Sequence, residues 1–146
     1  MTNIASAHVA SSASPTAFFD RWADVGTWPE WNADTEWVRL DGESAEFIEG
    51  ATGVLKPKGG PKVKFVVEKL VPSREFVDVS RLAGARLTFR HLVVPLDDGG
   101  CTVDVSVTLD GPLGWVWNRI LGNGIAKSLQ PDLDSLAAVA EAKTAR

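Results

Sequence analysis

The sequence predicts an α+β fold: a curved antiparallel sheet of six to seven strands wrapped around a long C-terminal helix, with two short helices after the first strand. Three observations carry this prediction. Between Thr35 and Leu109 the apolar residues recur with a period of two, the signature of half-buried strands. The links between these segments are short and rich in Gly, Asp and Pro, which joins antiparallel neighbours and not parallel ones. From Gly111 onward the apolar spacing changes to three and four, as on one face of a helix. Strands in succession followed by a helix indicate α+β architecture.

Taken in order, Ile4–Ala10 alternates weakly and predicts a first strand. Ser14-Pro15 then opens a helix, with Ser14 as cap and Pro15 at the first helical position. Ala17, Phe18, Arg21, Trp22 and Val25 follow at helical spacing, and Gly26 is expected to stop it. Residues 27–32, Thr-Trp-Pro-Glu-Trp-Asn, predict a short second helical turn. The strand expectations are Glu36–Leu40, Glu46–Ile48, Ala51–Lys56, Val63–Leu70, Glu75–Arg81, Ala85–Pro95 and Cys101–Leu109. Turn chemistry separates them at Asp41-Gly42, residues 58–61, Pro72-Ser73, Ala83-Gly84 and residues 97–100.

The long helix is expected to start at Pro112. Leu113, Trp117, Leu121, Ile125, Leu129, Leu133, Leu136 and Ala140 form its apolar stripe. Two glycines, Gly122 and Gly124, and Pro131 interrupt the pattern. Each is unfavourable inside a helix, by about 1 kcal/mol per Gly and about 3 for Pro, so a kink or break is expected between Gly122 and Pro131. One helix cannot cover a sheet of this width, so the sheet must curl, and curling leaves an interior volume.

The 146 residues are expected to form one domain. Hydrophobic residues make up 45% and charged residues 23%, so a packed core is expected. The net charge of −4 argues against nucleic acid as a partner, because phosphate binding needs a basic surface. No apolar run approaches the roughly 18 residues that span a bilayer, and the N-terminal residues lack the pattern of a secretory signal. Cys101 is the single cysteine, which excludes an internal disulfide and points to a reducing, cytoplasmic setting. The two histidines, His8 and His91, have no partner at ligand spacing, so no metal and no other cofactor is expected.

His91 is the leading polar candidate. On its strand Leu87, Phe89, His91 and Val93 share the inward face. It is either a ligand anchor and general base or a core histidine bonded to a backbone carbonyl. On the next strand Val103, Val105, Val107 and Leu109 face in. Phe65, Phe89, His91, Val105, Val107, Trp117, Leu121 and Ile125 are therefore the expected lining of one apolar pocket, with His91 as the tentative catalytic residue. Asp78 and Ser80 are further polar candidates of ambiguous parity. Trp28 and Trp31 share a face, either as a cavity lid or as a packing clamp. Trp115 diverges from Trp117 by about 200° and is expected to be exposed. Lys56, Lys58, Lys62 and Lys64 surround a hairpin tip. No helix N-terminus follows them to make a phosphate loop, but their charge could attract an acidic ligand or an acyl carrier protein.

Ser14-Pro15 before a Phe-rich helix, residues 28–32 (Trp-Pro-Glu-Trp-Asn), the Leu40-Asp41-Gly42 turn, Gly50, Gly53 and residues 111–113 (Gly-Pro-Leu) occur together and in this order. Over about residues 4 to 142 the chain resembles the polyketide cyclase/dehydrase branch of the START-like (SRPBCC) superfamily. The resemblance implies a helix-grip fold with a deep hydrophobic cavity between the sheet and the C-terminal helix. It does not imply a reaction. Three functions are expected to compete: a carrier or sequestering protein for a small hydrophobic, polyketide- or lipid-like molecule; a polyketide cyclase, aromatase or dehydratase using cavity groups such as His91; and a chaperone-cofactor-like interaction module, with a homodimer as one form of partnership.

Overall fold

The structure, a computed structural model, describes residues 2–42 and 45–144. The elements are β1 (Thr2–Ser11), α1 (Pro15–Ala23), a 3-10 helix (Val25–Glu30), β2 (Thr35–Leu40), β3 (Thr52–Pro57), β4 (Val63–Val71), β5 (Glu75–Leu82), β6 (Ala85–Pro95), β7 (Cys101–Asp110) and α2 (Gly114–Thr144). The seven strands form one sheet in the order β1-β7-β6-β5-β4-β3-β2, with every neighbouring pair antiparallel. Register shifts between β1 and β7, β2 and β3, and β4 and β5 each place an extra residue on one strand, which bends and twists a sheet. The sheet curves around α2 as a helix-grip fold.

Ser14 caps α1 as its sequence suggests: its hydroxyl accepts the Ala17 N–H at 3.1 Å, and Pro15 occupies the first turn. The helix buries Phe18, Phe19 and Trp22. It ends at Ala23 rather than at Gly26, and Gly26 lies inside the 3-10 helix.

Two expectations about elements are corrected. Glu46–Ile48 is not a strand. There the chain turns on itself through the Ile48 N–H to the Glu46 carbonyl at 3.0 Å and the Ala51 N–H to the Ile48 carbonyl at 3.0 Å. Phe47, which made the segment look strand-like, packs edge-on against Phe76 with ring centroids 5.4 Å apart. The second correction concerns the break expected in α2, which is one continuous helix through Gly122, Gly124 and Pro131. The carbonyl deprived of a donor by Pro131 belongs to Lys127, an exposed residue that water can serve. Around the proline, tertiary contacts fix the helix. Leu133, Leu136, Ala137 and Ala140 are buried in the core. Gln130 donates to the His8 carbonyl at 2.8 Å and accepts the His8 N–H at 3.0 Å.

That pair of bonds holds α2 against the free edge of β1. The helix packs closely along β1 and α1 but meets β6 and β7 only sparsely. The interior accordingly divides into two apolar clusters. The larger contains α1, the 3-10 helix and the C-terminal part of α2, and the smaller is built on Ala85, Leu87, Val107 and Leu109. Gly111 makes the turn into α2 possible. Its φ is +111°, and a Cβ there would stand 2.6 Å from the Gly84 carbonyl oxygen.

Candidate functional site

Where α2 stands away from the central strands, a cavity of about 370 Å³ remains, within the range typical of small-molecule sites. Phe65, Phe76, Phe89 and Val105 supply its sheet wall, and Trp22, Trp28 and Trp31 its end near α1. Leu121, Ile125, Leu129, Leu133 and Leu136 of α2 form its roof. Gly53 lets Phe65 lie where it does, because a Cβ at that position would meet the Phe65 ring at 2.6 Å. Trp28 stacks on Phe65 with centroids 6.2 Å apart, while its indole N–H donates to the Trp22 carbonyl at 2.9 Å. Asp34, Ile120 and Gly124 line the cavity and are also exposed. They mark a mouth between α2 and the loop that follows the 3-10 helix.

The deep polar end is formed by neighbouring strands. Pairing of β5 with β6 sets Phe76 opposite His91 and Asp78 opposite Phe89. The His91 ring stacks on Phe76, with centroids 3.7 Å apart and planes 6° from parallel, and meets the edge of Trp22 at 5.2 Å. Its Nδ1 is 3.2 Å from the Phe76 carbonyl oxygen. A carbonyl only accepts, so Nδ1 carries the proton and Nε2 presents a lone pair. Nε2 has no hydrogen-bond partner among the described residues. The Asp78 Oδ1 lies 3.8 Å from His91 Nδ1.

That distance would suit an ion pair, but burial opposes charge on both groups. Burial pulls the His91 pKa down to about 3, against the Phe76 carbonyl that favours the protonated ring. Burial pushes the Asp78 carboxyl up to about 7, against its own backbone N–H. At neutral pH the ring is uncharged and the carboxyl is partly protonated. A second carboxyl, Asp132 of α2, lies nearer the mouth. Burial pushes it up to about 6, opposed by the Ala33 backbone N–H and reinforced by the charge of Asp34.

Six of the expected lining residues stand at the cavity wall: Phe65, Phe89, His91, Val105, Leu121 and Ile125. Val107 and Trp117 do not. Val107 is fully buried in the smaller cluster, packed among side chains and off the cavity wall. The Trp117 indole N–H donates to the Ala83 carbonyl at 2.7 Å, which holds the ring over the β5–β6 turn. Trp28 and Trp31 are buried, with ring centroids 5.8 Å apart, as in the packing role considered for them, and both also line the cavity. Trp115 is 66% exposed on the far side of α2. The Lys-bearing tip stays outside: Lys56 pairs with Glu36 at 3.3 Å, and Lys62 lies over the Trp37 ring.

Sequence reasoning passed over Trp22, Phe76, Asp34 and Asp132. Only Asp132 left a usable signal. It follows Leu121, Ile125 and Ser128 at spacings of four, three and four, so it shares the apolar face of α2. Among the described residues no group of three or more His, Cys, Asp or Glu side chains could hold a metal ion, and no helix is long and apolar enough to cross a membrane.

Several solved structures share this architecture. A hypothetical protein from Helicobacter pylori, jhp0584, superposes with a TM-score of 0.75 at 14% identity, over 93% of this chain and 86% of that one. TTHA0849 from Thermus thermophilus gives 0.70 at 13% identity, over 96% and 98%. The di-domain ARO/CYC StfQ from the steffimycin biosynthetic pathway gives 0.69 at 11% identity, over 97% of this chain and 51% of that one. At such identities the likeness is one of fold. No curated protein sequence matches the chain. The model of the family described as polyketide cyclase / dehydrase and lipid transport matches residues 3–141, nearly the whole chain. On that match, and on the helix-grip fold that accompanies it, the chain belongs to the polyketide cyclase/dehydrase and lipid transport family.

Proposed function

We propose that this protein binds a small hydrophobic molecule, polyketide- or lipid-like, in its internal cavity and acts as a cytoplasmic carrier or sequestering protein. The observation that carries this is the cavity itself: about 370 Å³, walled mainly by aromatic and aliphatic side chains, with a buried polar end at Asp78 and His91. Apolar walls supply affinity through burial, and a few fixed polar groups orient the ligand. The family's description, which includes lipid transport, supports the same reading. Native mass spectrometry of protein purified from its own host tests it. A co-purifying hydrophobic molecule at one per chain is expected. Bare protein from the host, together with no binding of neutral apolar dyes, would refute it.

A second reading is favoured by one observation. Asp78 has a carboxyl poised near neutrality inside an apolar site, which is what a general base or acid needs at physiological pH. A cyclase, aromatase or dehydratase would use it to move a proton on a chain held folded by the cavity. Orientation would provide much of the rate. In this reading Asp78 is the stronger base, because the His91 ring gains a proton only near pH 3, and His91 accepts a hydrogen bond to position the substrate. An Asp78→Asn variant that turns over a poly-ketone substrate as fast as wild type would exclude it. Interaction with an acyl carrier protein or a second copy rests only on the Lys-bearing tip and on exposed Trp115.

A further inference from the structure

The ionisable groups that line the cavity are three carboxyls and one histidine. Asp34, Asp78, Asp132 and His91 line it, and no lining residue is Lys or Arg among those described. Lys56 of β3, between the lining residues Leu55 and Pro57, is committed to Glu36 at 3.3 Å and to the Pro57 carbonyl at 2.7 Å. At the deep end, Asp78 is 7% exposed, and its carboxyl has no donor among the described side chains. His91 spends its one N–H on the Phe76 carbonyl. Above pH 7, where the Asp78 carboxyl is mostly ionised, what both groups offer a ligand there is acceptor capacity. The other polar lining groups, Asn32, Thr35, Ser80, Ser128 and the Trp31 indole N–H, which has no partner among the described residues, are uncharged.

An anionic head would therefore enter past Asp34 and Asp132 and come to rest beside Asp78 and a lone pair, with no cation to offset it. In surroundings of low dielectric such like-charge contacts are poorly screened. A hydroxyl or an ammonium meets the opposite situation, since each donates to acceptors that no described side chain serves.

We propose that the cavity selects uncharged or cationic hydrophobic ligands whose polar end donates hydrogen bonds, and that it rejects carboxylates and phosphates. This rests on the binding reading above and narrows it to a ligand class. Free fatty acids and anionic phospholipid heads are excluded, whereas long-chain amines, alcohols and phenols are admitted.

The test is displacement of the neutral dye Nile red at pH 8.0 by three ten-carbon ligands kept below their aggregation concentrations: decylamine, decan-1-ol and decanoate. The amine and the carboxylate both carry a charge that must leave water, so their comparison isolates the sign preference from simple hydrophobicity. Decylamine is expected to displace the dye at a concentration at least tenfold lower than decanoate, with decan-1-ol also ahead of decanoate. Asp78→Asn should narrow the amine–carboxylate gap. Asp132→Asn, at the mouth and away from the strands, should narrow it too, and serves if the buried variant folds poorly. If decanoate competes as well as decylamine in the wild type, the selectivity inference is wrong while the binding reading stands. An unchanged gap in both variants would equally overturn it. If folded protein binds neither Nile red nor any of the three ligands, the binding reading itself fails, and this inference with it.

Discussion

Replacing Asp78 by Asn and, separately, His91 by Phe should give two proteins whose stabilities, each relative to the wild type, move in opposite directions with pH. The Asp78 carboxyl titrates near 3.8 when free and at about 7 in the folded protein. Between those values the folded state holds the extra proton. Its contribution to stability is full below pH 3.8 and is lost as pH rises through 7. His91 titrates near 6.5 when free and at about 3 when folded. Between those values the unfolded state holds the extra proton, so its contribution is full above pH 6.5 and is lost as pH falls towards 3. Each displacement covers about three pH units, which corresponds to roughly 4 kcal/mol. Across pH 4–6.5 the two effects oppose and largely cancel in the wild type. Asp78→Asn removes the Asp78 contribution, so relative to the wild type that variant should gain stability from pH 4 to 7 and exceed it at pH 8. His91→Phe removes the His91 contribution and, relative to the wild type, should lose stability from pH 4 to 6.5. Urea unfolding at half-unit pH intervals measures both slopes. Asp132, also pushed up to about 6, adds the same falling slope to all three proteins and cancels only when each variant is compared with the wild type. Differences from the wild type that slope the same way in the two variants would show that the pair is not buried as described.

Gly124 lies at the mouth with open space where a Cβ would stand. Gly124→Leu should raise stability by about 1 kcal/mol through helix propensity, a Tm gain of roughly 3 °C, while slowing dye entry; a faster or unchanged association rate would count against this route. Leu136 is 1% exposed and lines the cavity. Leu136→Ala should cost about 3 kcal/mol, seen as a Tm fall of roughly 10 °C, and a loss under 1 kcal/mol would mean that the helix does not pack there. His91→Phe should weaken decan-1-ol binding about three- to tenfold, the net worth of one hydrogen bond, as measured by the same displacement assay. Equal affinity would make the ring core filling only.

The sheet was legible because its turns and its alternation are chemically explicit. Gly42, Gly84 and Gly99 take positive φ at three of the turns, a conformation that favours Gly. On β7 every odd residue from Cys101 to Leu109 is buried, as its alternation of apolar and polar residues required. The failures also have physical causes. The penalties of Gly122, Gly124 and Pro131 are local, whereas the contacts that hold α2 together across them, Gln130 on β1 and Leu136 in the core, join distant parts of the chain. Alternation places Val107 on the same face as Val105 but says nothing about how far along the sheet the void extends. On β5 both sets of alternating residues contain apolar and polar members, so only pairing with β6 could place Asp78 beside His91.

The strand order also dictates a sequence of events in time. β2 to β7 follow one another as neighbours, each able to pair as soon as the next is available, but β1 joins the sheet only through β7, with Thr2 opposite Leu109. Closing so long a loop must precede the contacts that reward it, which places the chain among slower folders than helical bundles of its size. On the ribosome β1 has to wait, unpaired, until the last strand emerges. The bonds from Gln130 to His8 can form only after that, so the side chain that covers the β1 edge arrives last, and the cavity cannot close over a ligand before nearly the whole chain has been made.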